Sequence, residues 1–234
     1  MKQNPHAIEA PRPAASAASR GWLGAIPLML LLASGVGLAG AETSRQWLVA
    51  RVEGAAAAAD RLAPDAALAR LGAAERACGG DCGPRALVAG GAARALIAGR
   101  LPQGTRREQV AARAAQDLSA AIAEQPANGE RWAWFAVAES EQSGDDHRRR
   151  AIADLERSYR LAPFVRDLAP WRARFAGAAW QDLDGLSRQR SLDEVARLSL
   201  IDPGQAEAVE LAFSDPAAGL ALDQRMARRG ELAH

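Results

Sequence analysis

Two cysteines, Cys78 and Cys82 in the run CGGDCG, are the residues whose type and spacing most plainly permit chemistry. The glycines between them let a short loop bring the sulfurs together. A disulfide of that kind belongs to an oxidising compartment and is rare in cytosol. It would close a very small loop, so its contribution through chain entropy is modest, and its work would be to pin a turn between two helices. The alternative is a pair of reduced thiols in a loop. A structural zinc site needs four ligands, and no further cysteine or well-spaced histidine completes such a set, so no metal is expected.

Other reactive patterns fail for stated reasons. A phosphate-binding loop needs a lysine after its glycines, and Lys2 is the only lysine. The same lack removes Schiff-base and lysine-base mechanisms. Neither a G-x-S-x-G elbow nor an H-E-x-x-H pair occurs. His6, His147 and His234 are too scattered for a triad. Asp145, Asp146 and His147 precede Arg148–Arg150 and read as a solvated turn with the cap and first turn of a helix. Asp182 and Asp184 in WQDLDG supply too few oxygens for calcium. No catalytic residue and no cofactor is therefore expected, and the chain does not read as an enzyme.

Aromatic residues are the remaining candidates for recognition. Trp132, Trp134, Phe135, Trp171, Phe175 and Trp180 cluster in one half of the chain, and aromatic faces can stack on sugar rings. Trp132 with Phe135, and Trp171 with Phe175, have the spacing of one helical face and suit a core. Trp134 points away from the face of Trp132, and Trp180 lies near a helix junction, so these two are candidates for an exposed contact. Arg172 and Arg174 could meet an anionic polymer or an acidic partner; the alternative is a solvated helix face.

The elements that would carry these residues begin with Gly21–Ala41, which holds no charge in twenty-one positions. As a helix it is about 30 Å long, enough to cross a bilayer core. Before it stand Lys2, Arg12 and Arg20 against Glu9; after it, Arg45 and Arg51 cancel Glu42 and Glu53. The positive-inside rule then keeps the amino terminus in the cytoplasm and exports the rest, in a bacterium to the periplasm. Ala39-Gly40-Ala41 also has the form of a signal-peptide cleavage site, so a cleaved leader is the rival. Its length and a helical pattern straight after it favour an uncleaved inner-membrane anchor.

The body of about 190 residues is large enough for one domain with a core. Net charge is +1, which gives no push toward nucleic acid. Alanine, leucine, arginine, glutamate and glutamine abound while β-branched residues are sparse, so the fold class is all-α. The pattern divides the chain into a disordered cytoplasmic tail 1–20, a transmembrane helix 21–41, a helical linker with the cysteine loop 42–83, a helical domain 84–213 and a partly helical tail 214–234. Predicted helices cover Thr43–Arg61, Asp65–Ala77, Pro84–Gly99, a segment opened by Thr105 as N-cap with Glu108 at capping-box spacing, Asn128–Ser140, Asp145–Leu161, Val165–Ala176, Leu192–Leu200, Gln205–Phe213 and Ala217–Arg229.

Three helices close on related prolines: AIAEQP at Pro126, YRLAP at Pro163 and SLIDP at Pro203, spaced by 37 and 40 residues. That is near the period of helix-turn-helix arrays. Counting back from each proline gives Ala114, Leu118 and Ala121; Ala151, Leu155 and Ser158; and Ser191, Val195 and Leu198. The last set fits the small, large, small register less well, and the turn of the middle repeat is three residues longer than the tetratricopeptide motif allows. Trp132 falls where the first tetratricopeptide helix carries its large residue. The expectation is a short, degenerate tetratricopeptide-like array of about three antiparallel helix pairs, with a plain helical bundle as the alternative.

With its charged amino tail, single apolar segment, and the motifs RWAWFAVAE, YRLAP and AAWQDLD, the chain resembles small membrane-anchored tetratricopeptide-like proteins associated with bacterial exopolysaccharide and surface-polysaccharide assembly. The resemblance covers roughly Ser119–Leu211 plus the anchor. It implies a non-enzymatic accessory role beside an inner-membrane polymerase, ligase or export complex, with protein partners and no active site to carry over. A periplasmic carbohydrate-binding module using Trp134 or Trp180, and a scaffold for cell division or secretion, are the other readings. Oligomeric state is left open.

Overall fold

The computed structural model describes residues 42–43, 46–79, 83–211, 213 and 215–232. Two compact units divide the chain, Met1–Arg45 and Gln46–His234. The predicted tail 1–20, the apolar segment Gly21–Ala41 and Cys82 lie outside the described residues. Among the described residues no helix is long and apolar enough to cross a membrane.

The second unit is helix after helix, with no strand among its described residues. Residues 46–57 form α1, followed by a single 3₁₀ turn at Ala59–Arg61. Then come α2 (Pro64–Ala77), α3 (Gly83–Arg100), α4 (Thr105–Glu124), α5 (Gly129–Ser140), α6 (Asp145–Leu161), α7 (Ala169–Ala178), α8 (Gly185–Ile201), α9 (Pro203–Glu210) and α10 (Pro216–Leu232). The all-α expectation holds. The segment read as a linker is part of the body, because Val52, Ala55, Ala67, Leu71 and Ala74 share one core with Ala86, Ala93 and Ile97 of α3. Likewise the tail carries α10, whose Ala218 and Leu222 are buried against α7, α8 and α9.

Local chemistry sets most boundaries. The Asn128 side chain accepts hydrogen bonds from the N–H groups of Glu130 and Arg131 and so opens α5. Asp202 accepts from the N–H of Gln205, with Pro203 as the first residue of α9. Pro203 thus follows α8, which ends at Ile201, and also begins the next helix. Asp184 opens α8 by accepting from the N–H of Ser187 at 2.6 Å, seven residues before the predicted start at Leu192. The predicted cap at Thr105 does not form: Gly104 is the N-cap, at φ 140°, and Gly144 holds the same place before α6 at φ 101°. Both lie in backbone space that only glycine enters without strain. These two glycines end four-residue turns of equal length, Leu101–Gly104 and Glu141–Gly144. Val165–Ala176 is not one helix, because a 3₁₀ turn at Arg166–Leu168 precedes Pro170 at the start of α7.

Packing follows chain order. The pairs α3/α4, α5/α6 and α7/α8 pack together, α4 touches α5, and alternate helices α3/α5, α6/α8 and α7/α9 also meet. Accordingly the core is a succession of clusters, each drawn from neighbouring helices. Ala114, Leu118, Ala121, Ala151, Leu155, Ser158, Ser191, Val195 and Leu198 are all buried. Small residues set the approach distance. A Cβ on Gly91 of α3 would stand 2.6 Å from Leu118 Cγ, and one on Gly129 would stand 2.6 Å from Ala162 Cβ and 2.7 Å from its backbone nitrogen. At that same crossing Ser158 donates to the Gly129 carbonyl at 2.8 Å, fixing the end of α6 to the start of α5.

Arginine binds the layers laterally. Arg94 of α3 reaches Asp117 of α4 at 2.6 Å with one arm and Glu75 of α2 with the other. That two-armed bridge suits a planar guanidinium better than an ammonium point charge. Gly129→Ala should destabilise the fold by about 1–3 kcal/mol in urea unfolding, because the clash is with backbone. Gly54→Ala, where a Cβ meets nothing within 4 Å, should instead stabilise by up to ~1 kcal/mol. Equal effects of the two would contradict the packing described.

Candidate functional site

Of the four residues read as contact candidates, only Arg174 is exposed. Arg172 is fully buried, which corrects its placement on a solvated face or a polymer-binding surface. Its helix shows why: Ala169, Ala173 and Ala176 are all buried, and position 172 belongs to the same stripe of α7. A guanidinium there needs an internal partner, and Glu194 of α8, also fully buried, supplies it with Arg172 Nε 3.3 Å from Oε2. Arg172 Nη1 donates to the Ala162 carbonyl at 3.1 Å, and the guanidinium carbon lies 4.0 Å from the centre of the Tyr159 ring.

Tyr159 of α6 donates its hydroxyl to Glu194 Oε2 at 3.0 Å, and the Val165 N–H donates to Oε1 at 3.4 Å. Three helices and the linker between α6 and α7 therefore converge on one carboxylate. Burial pushes Glu194 up to about 7, opposed first by Arg172 and then by the bonds from Tyr159 and Val165. Burial also pushes Tyr159 well above its ordinary value, and the Glu194 charge adds to that. All three side chains are fully buried, and their bonds tie α6, α7 and α8 together. Neither Glu194 nor Tyr159 was foreseen as functional. A signal existed for Glu194, which stands three residues after Ser191 on the predicted buried face.

Trp180 is 7% exposed, which corrects its reading as an open contact. Its ring lies 6.2 Å from that of Phe213, in the core shared by α7 to α10, and Arg188 covers it at 5.7 Å. Trp134 is half-buried against the cluster of Ala95, Ala114, Leu118 and Ala133. Trp132 and Phe135 meet edge to face at 6.2 Å, and Trp171 stacks on Phe175 at 5.0 Å. The rings pair as the spacing predicted, and Phe135, Trp171 and Phe175 pack on core clusters, but Trp132 stays outside the core with the Arg157 guanidinium 4.5 Å from its ring centre.

A second polar cluster joins α5 and α6. Glu139, 5% exposed, takes His147 Nδ1 at 2.6 Å and Arg150 Nε at 3.1 Å. His147, read as a residue of a solvated turn, is thus tied back to the preceding helix. Asp146 pairs with Arg149 in the first turn of α6. Asp154 has a buried oxygen, Oδ2, with no hydrogen-bond partner. Burial, reinforced by the Glu139 charge, pushes Asp154 up to about 7.

Two concavities among the described residues have linings of mixed charge. One of about 520 Å³ is lined by Asp145, Arg148, Arg149, Ile152, Glu156 and Asp182, with Arg148 pairing to Asp182 at 3.2 Å. Another of about 310 Å³ lies between Arg166, Asp167, Leu198, Ile201 and Gln205. Asp182 and Asp184 are thus engaged by Arg148 and by the start of α8, and among the described residues no cluster suits a metal ion. No known protein family, no curated protein and no solved structure matches the chain.

Glu194→Leu, which strands the buried Arg172, should cost about 3–5 kcal/mol in chemical unfolding, and Arg172→Met combined with it should recover most of that loss. A double variant no better than the single one would contradict the pairing. The Asp154 proton gives a pH prediction. The folded chain keeps a proton that the unfolded chain releases above about pH 4. The stability this group contributes is present in full below that pH and is lost as pH rises to about 7. Asp154→Asn should therefore flatten the fall in stability between pH 5 and 7, and an unchanged slope would count against a protonated Asp154.

Proposed function

We propose that the chain is a non-enzymatic scaffold, anchored in a bacterial inner membrane with its helical body in the periplasm, and an accessory of surface or exopolysaccharide assembly and export. In this reading the body is a degenerate tetratricopeptide-like array. Its principal support is the repeated order of the packing in successive helix pairs. Two of them bury a small-large-small triplet ahead of the proline that follows, while the third buries Ser191, Val195 and Leu198 and departs from that register at its last position. Such arrays present an extended concave face to protein partners. Confinement beside a membrane complex raises the effective concentration, so that modest affinity suffices.

The anchor and compartment rest on Gly21–Ala41 and on the charge flanking it. A Cys78–Cys82 disulfide belongs to the same proposal and rests on the close spacing of the two cysteines in CGGDCG. The carbohydrate-module reading loses support, because Trp180 is buried and Trp134 is packed.

Deleting the gene should reduce surface or secreted polysaccharide, or shift its chain length, and a plasmid copy should restore it. Normal polysaccharide in the deletion strain would refute the assigned process. Thiol counting on the denatured, unreduced protein should give no reactive thiol, against two after reduction. Two thiols without reduction would remove the disulfide and its support for an oxidising compartment.

A further inference from the structure

Trp47 is 60% exposed, whereas Trp132, Trp134 and Trp171 are half-buried and Trp180 is buried. An exposed tryptophan spends a large apolar face on water unless something covers it. It stands in the first turn of the described part of α1, and Arg51, one turn on, places its guanidinium carbon 4.9 Å from the ring centre. The opposite side of α1 is committed to the core through Val52 and Ala55. Between 46 and 57 the only charged residues are Arg51 and Glu53, and Glu53 is taken by Arg85 of α3 at 2.8 Å. The outer face of α1 therefore shows one ring and one positive charge, without an opposing carboxylate of its own.

What covers this face is indicated by its place in the chain. Ala41 ends the uncharged segment six residues before Trp47. Six residues of chain span at most about 20 Å even when fully extended, so Trp47 stays within reach of the headgroup zone, ~5–8 Å deep on each side of a bilayer core. Tryptophan partitions to that zone, its ring among the upper acyl chains and its N–H toward water. A basic residue beside it is attracted to anionic headgroups.

We infer that Trp47 and Arg51 form a lipid-contact patch that seats the start of the body on anionic phospholipid headgroups at the outer surface of the membrane it emerges from. This rests on the proposed membrane anchor and adds to it a second attachment, on the body itself. It would limit the swing of α1 about the membrane exit and keep the helical array at a fixed height beside its partners.

The test uses the full chain reconstituted in vesicles of phosphatidylethanolamine and phosphatidylglycerol. Some of the lipid carries bromine either high (carbons 6 and 7) or low (carbons 11 and 12) on the acyl chain. The fluorescence lost in Trp47→Phe isolates the Trp47 signal, and the exposed position makes that variant safe for folding. The expected result is a Trp47 component quenched at least twofold more by the shallow bromines, with the contact weakened in Arg51→Glu. A Trp47 component insensitive to both lipids, in a protein that resists alkaline extraction, would overturn the patch and leave the anchor standing. Release by alkaline extraction together with shallow quenching of Trp47 would overturn the anchor and keep the patch as a peripheral contact.

Discussion

Alanine-rich helices have little apolar surface to bury, and this limit governs the molecule. A methyl group stabilises only when a neighbour comes close, so the helices must approach to the distance that alanine and glycine allow. Gly91 under Leu118 and Gly129 under Ala162 mark two such crossings, where even a Cβ would not fit. Close approach in turn needs exact turns between partners, which is why glycines with positive φ end the links before α4 and α6. Each helix satisfies itself mainly on its chain neighbours, so the fold grows as a sequence of local cores.

Arginine supplies what the small side chains cannot. Arg94 spans three helices through Glu75 and Asp117, and Arg131 of α5 donates to the Ala121 carbonyl near the end of α4. Arg172 and Glu194 carry this furthest, with both charges removed from water. Such a pair is weak as a source of net stability but severe as a constraint, because either member alone is intolerable. It ties α7 and α8 to Tyr159 of α6 across the linker where the chain is least regular. The orphan Nη2 of Arg172 and Oγ of Ser187 add to the polar burden in this part of the molecule.

Helix content and the helix cores were legible in the sequence because periodicity is a property of short windows. Asp145–Leu161 was found to the residue, and the three triplets counted back from proline are buried together. Boundaries were lost where capping had more than one candidate. Thr105 offers a hydroxyl at capping-box spacing, yet Gly104 alone can take the backbone turn that precedes it. The contact residues were misjudged for a different reason. Whether Arg172 faces water depends on Glu194, twenty-two positions away, and no local pattern carries that pairing. Trp180 was misread in the same way, since its cover is Phe213 from the next helix pair. Trp47, by contrast, shows its exposure only once the core side of α1 is known.

The claim on which the functional account turns is that the body is exported and stays attached to the membrane. Alkaline phosphatase fused after His234, active only outside the cytoplasm, tests it directly when its activity is followed through cell fractionation. The account predicts an active fusion that sediments with the inner membrane. An inactive fusion, or an active one recovered in the soluble periplasm, would contradict it.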